Sequence, residues 1–509
     1  MFSSLDSNSA LFFHQILFFY NHQFFYLLLL VTFFLLFFIY SVYSTYCYEI
    51  LESKFIESNL NLLASRAIEA QLATPLKPLT ALITGANSGI GLSLSEQLAS
   101  RGVRVILACR NKQRGEEALL RIQSFAQKYL SNNKTSNSHI QPQHRLILLD
   151  VSEPSSVLKA SSELLNDPTI GHIDFLILNA GIMNVSYYKW SVILHAFFTG
   201  AFRYFLITSR ANATSSSFLQ SSIDDIGACG APSHFATHVL GHLLLVNELK
   251  PLLTSIASDS VSTTTTTTTT TTCREGRIIW TGSRSSVIPA QPLAMSQLEP
   301  PINLTSQSGF QKRLSNSHSQ TQNEQAVEVY GQAKYAQDLI NAALSRRLSN
   351  LCVVICPGFV DTELTPPFFK LAIPFFKVTR KYTPSMVFSG LRGCAPHVAM
   401  MIVDKPHLID ANKKWVLSCN KIIQATEGAP YLAIEEQEKM WQYCEQWLKI
   451  WKESVTMLSS SSKSSSSSSS LFNEAVDLDK IASSPLRIRK SSQVTRVIDN
   501  TIQQSTKEE

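Results

Sequence analysis

No lysine or arginine precedes Lys54. A cleaved secretory leader needs a basic start, a short apolar core and a small-residue cleavage site, so this N-terminus does not read as one. Charge is thin along the whole chain. Asp, Glu, Lys and Arg make up 16% of the 509 residues, and the net charge of +6 forms no patch, which is too diffuse for a nucleic-acid partner. The nine cysteines lack the spacing of a disulfide framework. Cys352 and Cys356 flank an apolar strand with no histidine cluster beside them, so no metal site is expected. Such cysteine usage favours reduced thiols and a cytosolic catalytic domain. Nor is there a solenoid-type repeat.

What the chain does have is apolar sequence, at 45% hydrophobic residues. Its length suffices for a doubly wound core of about 250–300 residues with attachments. Leu11 to Tyr48 is dominated by Phe, Leu, Tyr and Val, and Phe24–Val42 carries no charge. As a helix that uncharged stretch spans about 28 Å, enough to cross a bilayer. The nearest basic residues, Lys54 and Arg66, follow it, which favours a cytosolic catalytic domain.

Strands alternate with helical segments from Leu79 onward. LTALIT (Leu79–Thr84) is short and apolar, bounded by Pro78 and Gly85, and reads as a buried strand. It leads into TGANSGIG (Thr84–Gly91) and an amphipathic helix. Gly85, Gly89 and Gly91, with Asn87, Ser88 and Ile90 between them, let the backbone turn tightly and approach a pyrophosphate at a helix start. The spacing is G-x-x-x-G-x-G. A second strand, VRVILACRN (Val103–Asn111), ends in Arg110, where a dinucleotide fold meets the adenosine ribose. Arg110, with Lys112 and Arg114 nearby, suits a 2′-phosphate and so NADPH over NADH; a solvated basic turn is the plain alternative. RLILLD (Arg145–Asp150) ends in Asp150, placed to accept from the adenine amino group with Val151 beside it. IDFLILNAG (Ile173–Gly181) ends in Asn179, Ala180 and Gly181, small enough to pass beside the cofactor. Helices over Gln113–Tyr129 and Glu153–Leu165 complete βαβ units and imply a parallel, doubly wound α/β sheet of the Rossmann type.

YGQAK (Tyr330–Lys334) sets a phenol and an ammonium four residues apart on one helix face. A free tyrosine, with a pKa of about 10, is a poor acid–base at neutral pH; a nearby ammonium and an oxidised nicotinamide would lower it. Lys334 can also hold the nicotinamide ribose. Ser283, at the end of RIIWTGS, can hold a substrate oxygen.

In this order the blocks resemble the short-chain dehydrogenase/reductase family, from about Leu79 to Val403 and weakly to Glu453. LACRN, LILNAGIM, FATHVLGHLLLVNELKPLL, RIIWTGSRSS and YGQAKYAQDLINAAL are similar to the 3-ketosteroid reductases, also called 17β-hydroxysteroid dehydrogenase type 7. That resemblance implies NADPH-dependent reduction of a sterol 3-ketone or a steroid 17-ketone. It also implies that Pro357, Gly358 and Thr362, in CPGFVDTEL, close over the nicotinamide. His238 stands where the family carries the asparagine that holds a relay water, and Ala333 replaces the usual serine before the lysine. Histidine still donates and accepts.

Two further segments, Met183–Arg210 and Thr365–Tyr382, are apolar and aromatic but punctuated by charge or proline. Each is expected either to dip into a leaflet or to cover the pocket. Thr263–Thr272, Ser131–Gln143 and Asn303–Gln325 read as polar separators. KKWVLSC (Lys413–Cys419) suits a last strand, and Ala433–Trp451 a terminal helix. The serine run Ser459–Ser470 is expected to end the folded part, with Leu471–Glu509 disordered.

The expected organisation is a membrane anchor over residues 1–60, a catalytic domain over 61–458 and a Ser-rich tail over 459–509. The expected activity is reduction of a lipophilic sterol or steroid ketone at a membrane, the endoplasmic reticulum being the expected site. A homodimer is left open. Retinal or another long-chain carbonyl is the alternative substrate. A membrane interaction protein on the same scaffold, its chemistry lost at His238, is the alternative class.

Overall fold

The computed structural model describes residues 7–73, 78–133, 142–182, 185–188, 219–221, 231–259, 270–283, 286, 329–363, 370, 373, 377, 389–418, 421–424 and 433–464. Most of the two apolar segments, the Asn303–Gln325 separator and the Leu471–Glu509 tail lie outside these residues. The chain divides into two units, Met1–Val455 and Thr456–Glu509. Over its described residues the second is helical, the last turns of the C-terminal helix.

The strands are β1 (Thr80–Thr84), β2 (Arg104–Cys109), β3 (Arg145–Leu148), β4 (Phe175–Leu178), a β5–β6 pair (Val185–Tyr188, Leu219–Ser221), a β7–β8 hairpin (Thr254–Asp259, Thr270–Glu275), β9 (Arg277–Thr281), β10 (Cys352–Cys356), β11 (Lys414–Ser418) and β12 (Lys421–Gln424). Eight of them form one sheet in the order β12-β11-β10-β9-β4-β1-β2-β3. It is parallel throughout except for β12, which pairs antiparallel with β11. The doubly wound sheet is thus as expected. The antiparallel edge β12 and the β7–β8 hairpin, which takes up Thr270–Thr272 of the threonine run, are additions.

The strands read as unbroken apolar runs because both faces are covered. Leu82, Ile106, Leu176, Ile278, Trp280 and Val354 face one core; Ala81, Ile83, Leu107, Ile177, Ile279 and Ile355 face the other. The first core is closed by α4 (Pro154–Leu165), α5 (Ser233–Phe235, a π turn at Ala236–Leu240, then Gly241–Glu248), α6 (Lys250–Leu253), α7 (Val329–Ser345) and α9 (Ile434–Ser464). The second is closed by α2 (Gly89–Ala99), α3 (Lys112–Asn133), α8 (Gly390–Ile402) and the end of α1 (Ser7–Ala73). Helix α9 continues into the serine run as far as Ser464.

Helix α1 serves two environments. Phe24–Tyr40 is exposed along its length, and the helix is long and apolar enough there to cross a membrane. Beyond it, Ser41, Thr45, Glu52, Ile56, Leu60, Leu63 and Ala67 are buried, at the three-and-four spacing of one helix face. The helix therefore runs through the boundary expected near residue 60 and becomes part of the catalytic layer. Arg392, in the first turn of α8, fastens it: Nη1 meets Glu49 and Nε meets the buried Glu52, each at 2.9 Å. Taking the guanidinium away from a buried carboxylate is expensive. Arg392→Met is expected to cost about 3–5 kcal/mol, read as a lowered Tm, with the Arg392→Met/Glu52→Leu pair recovering most of it. Equal Tm values for the parent and Arg392→Met would show that the pair contributes nothing.

Candidate active site

All candidate residues lie at the carboxyl edge of the sheet or on helices that border it. The glycine turn after β1 is built by backbone conformation. Gly85 and Gly89 have φ of 67° and 54°, the left-handed region that disfavours side chains. Gly91 is required for a different reason: a Cβ there would sit 2.4 Å from the Gly85 carbonyl oxygen and 2.7 Å from Asn179 Nδ2. The Gly85 amide donates to Ala108 O at 2.8 Å, and the Cys109 thiol receives the Ala86 and Asn87 amides, so β2 holds the turn. Leu92 N donates to Ser88 O as α2 begins, and Ile90 packs on the core. The turn can hold a dinucleotide, because it delivers the chain tightly from the end of β1 into the start of α2, whose free amides suit a phosphate.

Arg110 is exposed at the tip of β2, 3.8 Å from Asp150. Asp150 accepts from the Ser152 amide and hydroxyl at 3.0 and 2.6 Å, which fixes its carboxylate and the Val151 turn. Gly241 lets α5 press against that turn, since a Cβ there would overlap the Val151 carbonyl. Arg114 pairs with Glu363 in the loop that follows β10, at 2.6 and 2.7 Å. In the same loop Gly358 has φ of 75°, and the Thr362 methyl would lie 3.1 Å from a Cβ at Gly89. Of the loop residues expected over the cofactor, Thr362 is thus brought against the glycine turn, with Pro357 and Gly358 earlier in the same loop.

One hydrogen-bond network ties these strand ends together. Thr84 Oγ1 accepts from the Asn179 and Ala180 amides, both at 2.9 Å, which fills its lone pairs; its own hydrogen has His242 Nε2 at 2.9 Å and Ile177 O at 3.4 Å as acceptors, and the shorter contact is the better one. His242 therefore accepts at Nε2 and carries its proton on Nδ1. Asn179 Nδ2 donates to Thr84 O at 3.1 Å, and its Oδ1 accepts from Thr281 Oγ1 at 3.2 Å. With its hydrogen given to Asn179, Thr281 Oγ1 is the acceptor for His397 Nε2 at 2.8 Å. Burial pushes both His242 and His397 down to about 3, so both rings are neutral.

Tyr330, Ser283, Lys334 and His238 converge. The Ser283 hydroxyl hydrogen-bonds Tyr330, and Lys334 Nζ lies 5.7 Å from the centre of the phenol ring. Lys334 is buried and donates to Thr281 O at 2.7 Å and to Gln337 Oε1 at 3.0 Å. Burial outweighs the Ser283 hydrogen bond and pushes the Tyr330 phenol up to about 12. The expectation of a lowered phenol belongs to a cofactor-loaded site; without an oxidised nicotinamide the phenol stays protonated. His238 sits in the π turn of α5, edge-on to Tyr330 with 5.4 Å between ring centroids. Its Nε2 meets Ile182 O at 2.9 Å, and burial with the Lys334 charge holds the ring well below the usual histidine range. Gly181 is needed here, because a Cβ would stand 2.5 Å from the imidazole.

The sequence reading missed His242, His397, Thr84, Thr281 and Gln337. A signal existed for His242, since His234, His238 and His242 recur every four residues on one helix face. His397 offered none, being a lone histidine in an apolar helix.

Residues 79–208 match the family model described as short chain dehydrogenase. The rat 3-keto-steroid reductase/17-beta-hydroxysteroid dehydrogenase 7 is 29% identical over 66% of this chain and 84% of that protein. Its human counterpart is 30% identical over 61% of this chain and 76% of that protein. Mouse retinol dehydrogenase 11 is 36% identical over a shorter stretch, 21% of this chain and 30% of that protein. With the parallel sheet, the glycine turn and the Ser–Tyr–Lys set already in place, these likenesses establish that the chain is an oxidoreductase of the short-chain dehydrogenase/reductase family.

Proposed function

We propose that this chain is a membrane-held reductase that uses NADPH to convert a sterol or steroid ketone, at the 3- or 17-position, to the alcohol. One observation carries the chemistry: a protonated Tyr330 phenol hydrogen-bonded to Ser283, with the Lys334 ammonium one helical turn away. When bound, the reduced nicotinamide supplies a hydride to the carbonyl carbon. Ser283 orients the carbonyl oxygen and Tyr330 gives it a proton as negative charge develops there. Lys334, already fixed to the end of β9, stabilises the resulting phenolate and holds the ribose. Arg110 binds the 2′-phosphate. The substrate class rests on the likeness to the rat and human steroid reductases. The exposed apolar helix supports anchoring, with residues 1–60 in and near the bilayer and the catalytic domain cytosolic at the endoplasmic reticulum.

The test is NADPH and NADH oxidation by the purified full chain in detergent, with a sterol 3-ketone, a steroid 17-ketone and retinal offered in turn. Turnover is expected with NADPH and a steroid ketone; faster turnover of retinal would move the substrate class. In the same assay Arg110→Ala should lose about tenfold to a hundredfold in NADPH affinity, the worth of a charge-assisted pair, and leave NADH unchanged. Equal losses for both cofactors would remove Arg110 from the 2′-phosphate.

A further inference from the structure

Helix α1 has a direction, and that direction fixes which edge of the sheet meets the membrane. Helix α8 begins at the carboxyl edge, beside the glycine turn. A Cβ at Gly390 would lie 2.7 Å from the Ser93 side chain, and one at Gly393 would lie 2.7 Å from Val360. It ends at the amino edge, where Arg277, the first residue of β9, donates to Met400 O at 2.8 Å and to Val403 O at 2.9 Å. Helix α1 runs the same way. Glu49 and Glu52 pair with Arg392 near the start of α8, whereas Arg66 pairs with Asp404 beyond its end. Gln71 then donates to Gly102 O at 3.2 Å, where the chain turns from α2 into β2 at the amino edge. Everything in α1 before Glu49 therefore projects past the carboxyl edge, the edge that holds Ser283, Tyr330 and the glycine turn.

That projection is the apolar part. Ser7–Ala73 is one unbroken helix without glycine or proline, so it has no usual source of a kink. Phe24–Tyr40 is the stretch suited to lipid, and the exposed Tyr43 and Tyr46 suit the headgroup level. From Tyr46 the helix rises only about 5 Å to Glu49 and about 9 Å to Glu52.

Resting on the membrane-anchored reading above, we propose that the carboxyl edge of the sheet faces the bilayer at this short range, so that a lipophilic ketone passes from the leaflet into the site without crossing water. Helix α1 is then a strut, not a tether. Its buried face and the Arg392 clasp hold the mouth of the site against the lipid surface.

The experiment compares the full chain with a variant carrying a flexible Gly-Ser segment of about 20 residues between Tyr46 and Cys47, which keeps the anchor and the stretch of α1 from Glu49 to Gln71 that is tied to α8 and the amino edge. Both are placed in phosphatidylcholine vesicles containing a diazirine-bearing phosphatidylcholine. After photolysis, label on the parent is expected at residues 357–363, and the variant should lose it while still sedimenting with the vesicles. A sterol 3-ketone dissolved in the same vesicles should turn over more slowly in the variant, on the order of tenfold, as its effective concentration at the site falls. Cyclohexanone in the water phase should be reduced equally by both. Parent label at residues 404–413 or 166–174, on both edges, or on neither, overturns the orientation while leaving the anchoring reading intact if the protein sediments. A parent that stays in the supernatant overturns both.

Discussion

Tyr330→Phe is expected to slow ketone reduction about 10²–10⁴-fold, the usual worth of a general acid, with NADPH binding kept. The substitution removes one oxygen from a group whose ring is already packed edge-on against His238, so the site's shape survives. The hydroxyl it removes is the one hydrogen-bonded to Ser283. The pH behaviour follows from the same burial. A phenol pushed up to about 12 is protonated at neutral pH and gives its proton away only as an alkoxide forms. The reductive rate should therefore hold across the neutral range and decline only in alkali, whereas alcohol oxidation, which needs phenolate, should rise with pH. His238→Asn restores the family's residue and should leave the rate unchanged or raise it. His238→Leu, which cannot answer Ile182 O, should slow it by less than Tyr330→Phe does. A Tyr330→Phe enzyme as fast as the parent would remove Tyr330 from proton transfer. If instead the parent binds NADPH and reduces nothing while His238→Asn does, the chain is a scaffold whose chemistry was lost at position 238.

How much of this was legible depended on whether the cause was local. Glycines at φ of 67° and 54° announce themselves, because few other residues adopt that backbone. The apolar runs of β1, β2, β4 and β9 are equally plain, since burial on both faces confines polar residues to the strand ends. Tyr330 and Lys334 follow from helix periodicity alone. The Thr84–Asn179–Thr281 network could not be read this way. Its members lie about a hundred residues apart in sequence, and threonine at a strand end has many ordinary uses. The docking of helix α1 on the catalytic layer is hidden in the sequence for a related reason. Its apolar half dominates the composition, and the buried face from Ser41 to Ala67 is mixed, containing Ser, Thr and Glu. The Arg392 partner, more than 300 residues away, helps explain why Glu52 can be buried.

The second large effect concerns acid. His144 is pushed down to about 4, and His242 and His397 to about 3, in each case chiefly by burial. The contacts agree with neutral rings: the Val105 amide donates to His144 Nδ1 at 3.2 Å, and Thr84 donates to His242 Nε2. Neither nitrogen can accept once it carries a proton. The sign follows from linkage. A histidine whose folded pKa lies below its unfolded value of about 6.5 stays neutral in the fold while the unfolded chain takes up protons. Its stabilisation is complete above about pH 6.5 and is lost as pH falls toward 4 and then 3. At pH 5 each of the three should have lost about 2 kcal/mol, or about 6 kcal/mol together, against a typical total of about 5–15 kcal/mol. His238, shifted the same way, adds to the loss. Glu153 opposes it, since burial and the neighbouring Asp150 raise its pKa and favour the protonated form in the fold. One partly buried carboxyl does not offset several buried imidazoles. Urea unfolding of the full chain in detergent should therefore show a midpoint far lower at pH 5.0 than at pH 7.5. The His397→Asn variant, which keeps a donor for Thr281 but cannot titrate, should lose less stability than the parent over that interval. Midpoints that coincide at the two pH values would mean that these rings are hydrated and charge freely, and the neutral network joining His242, Thr84, Asn179, Thr281 and His397 would then have to be abandoned.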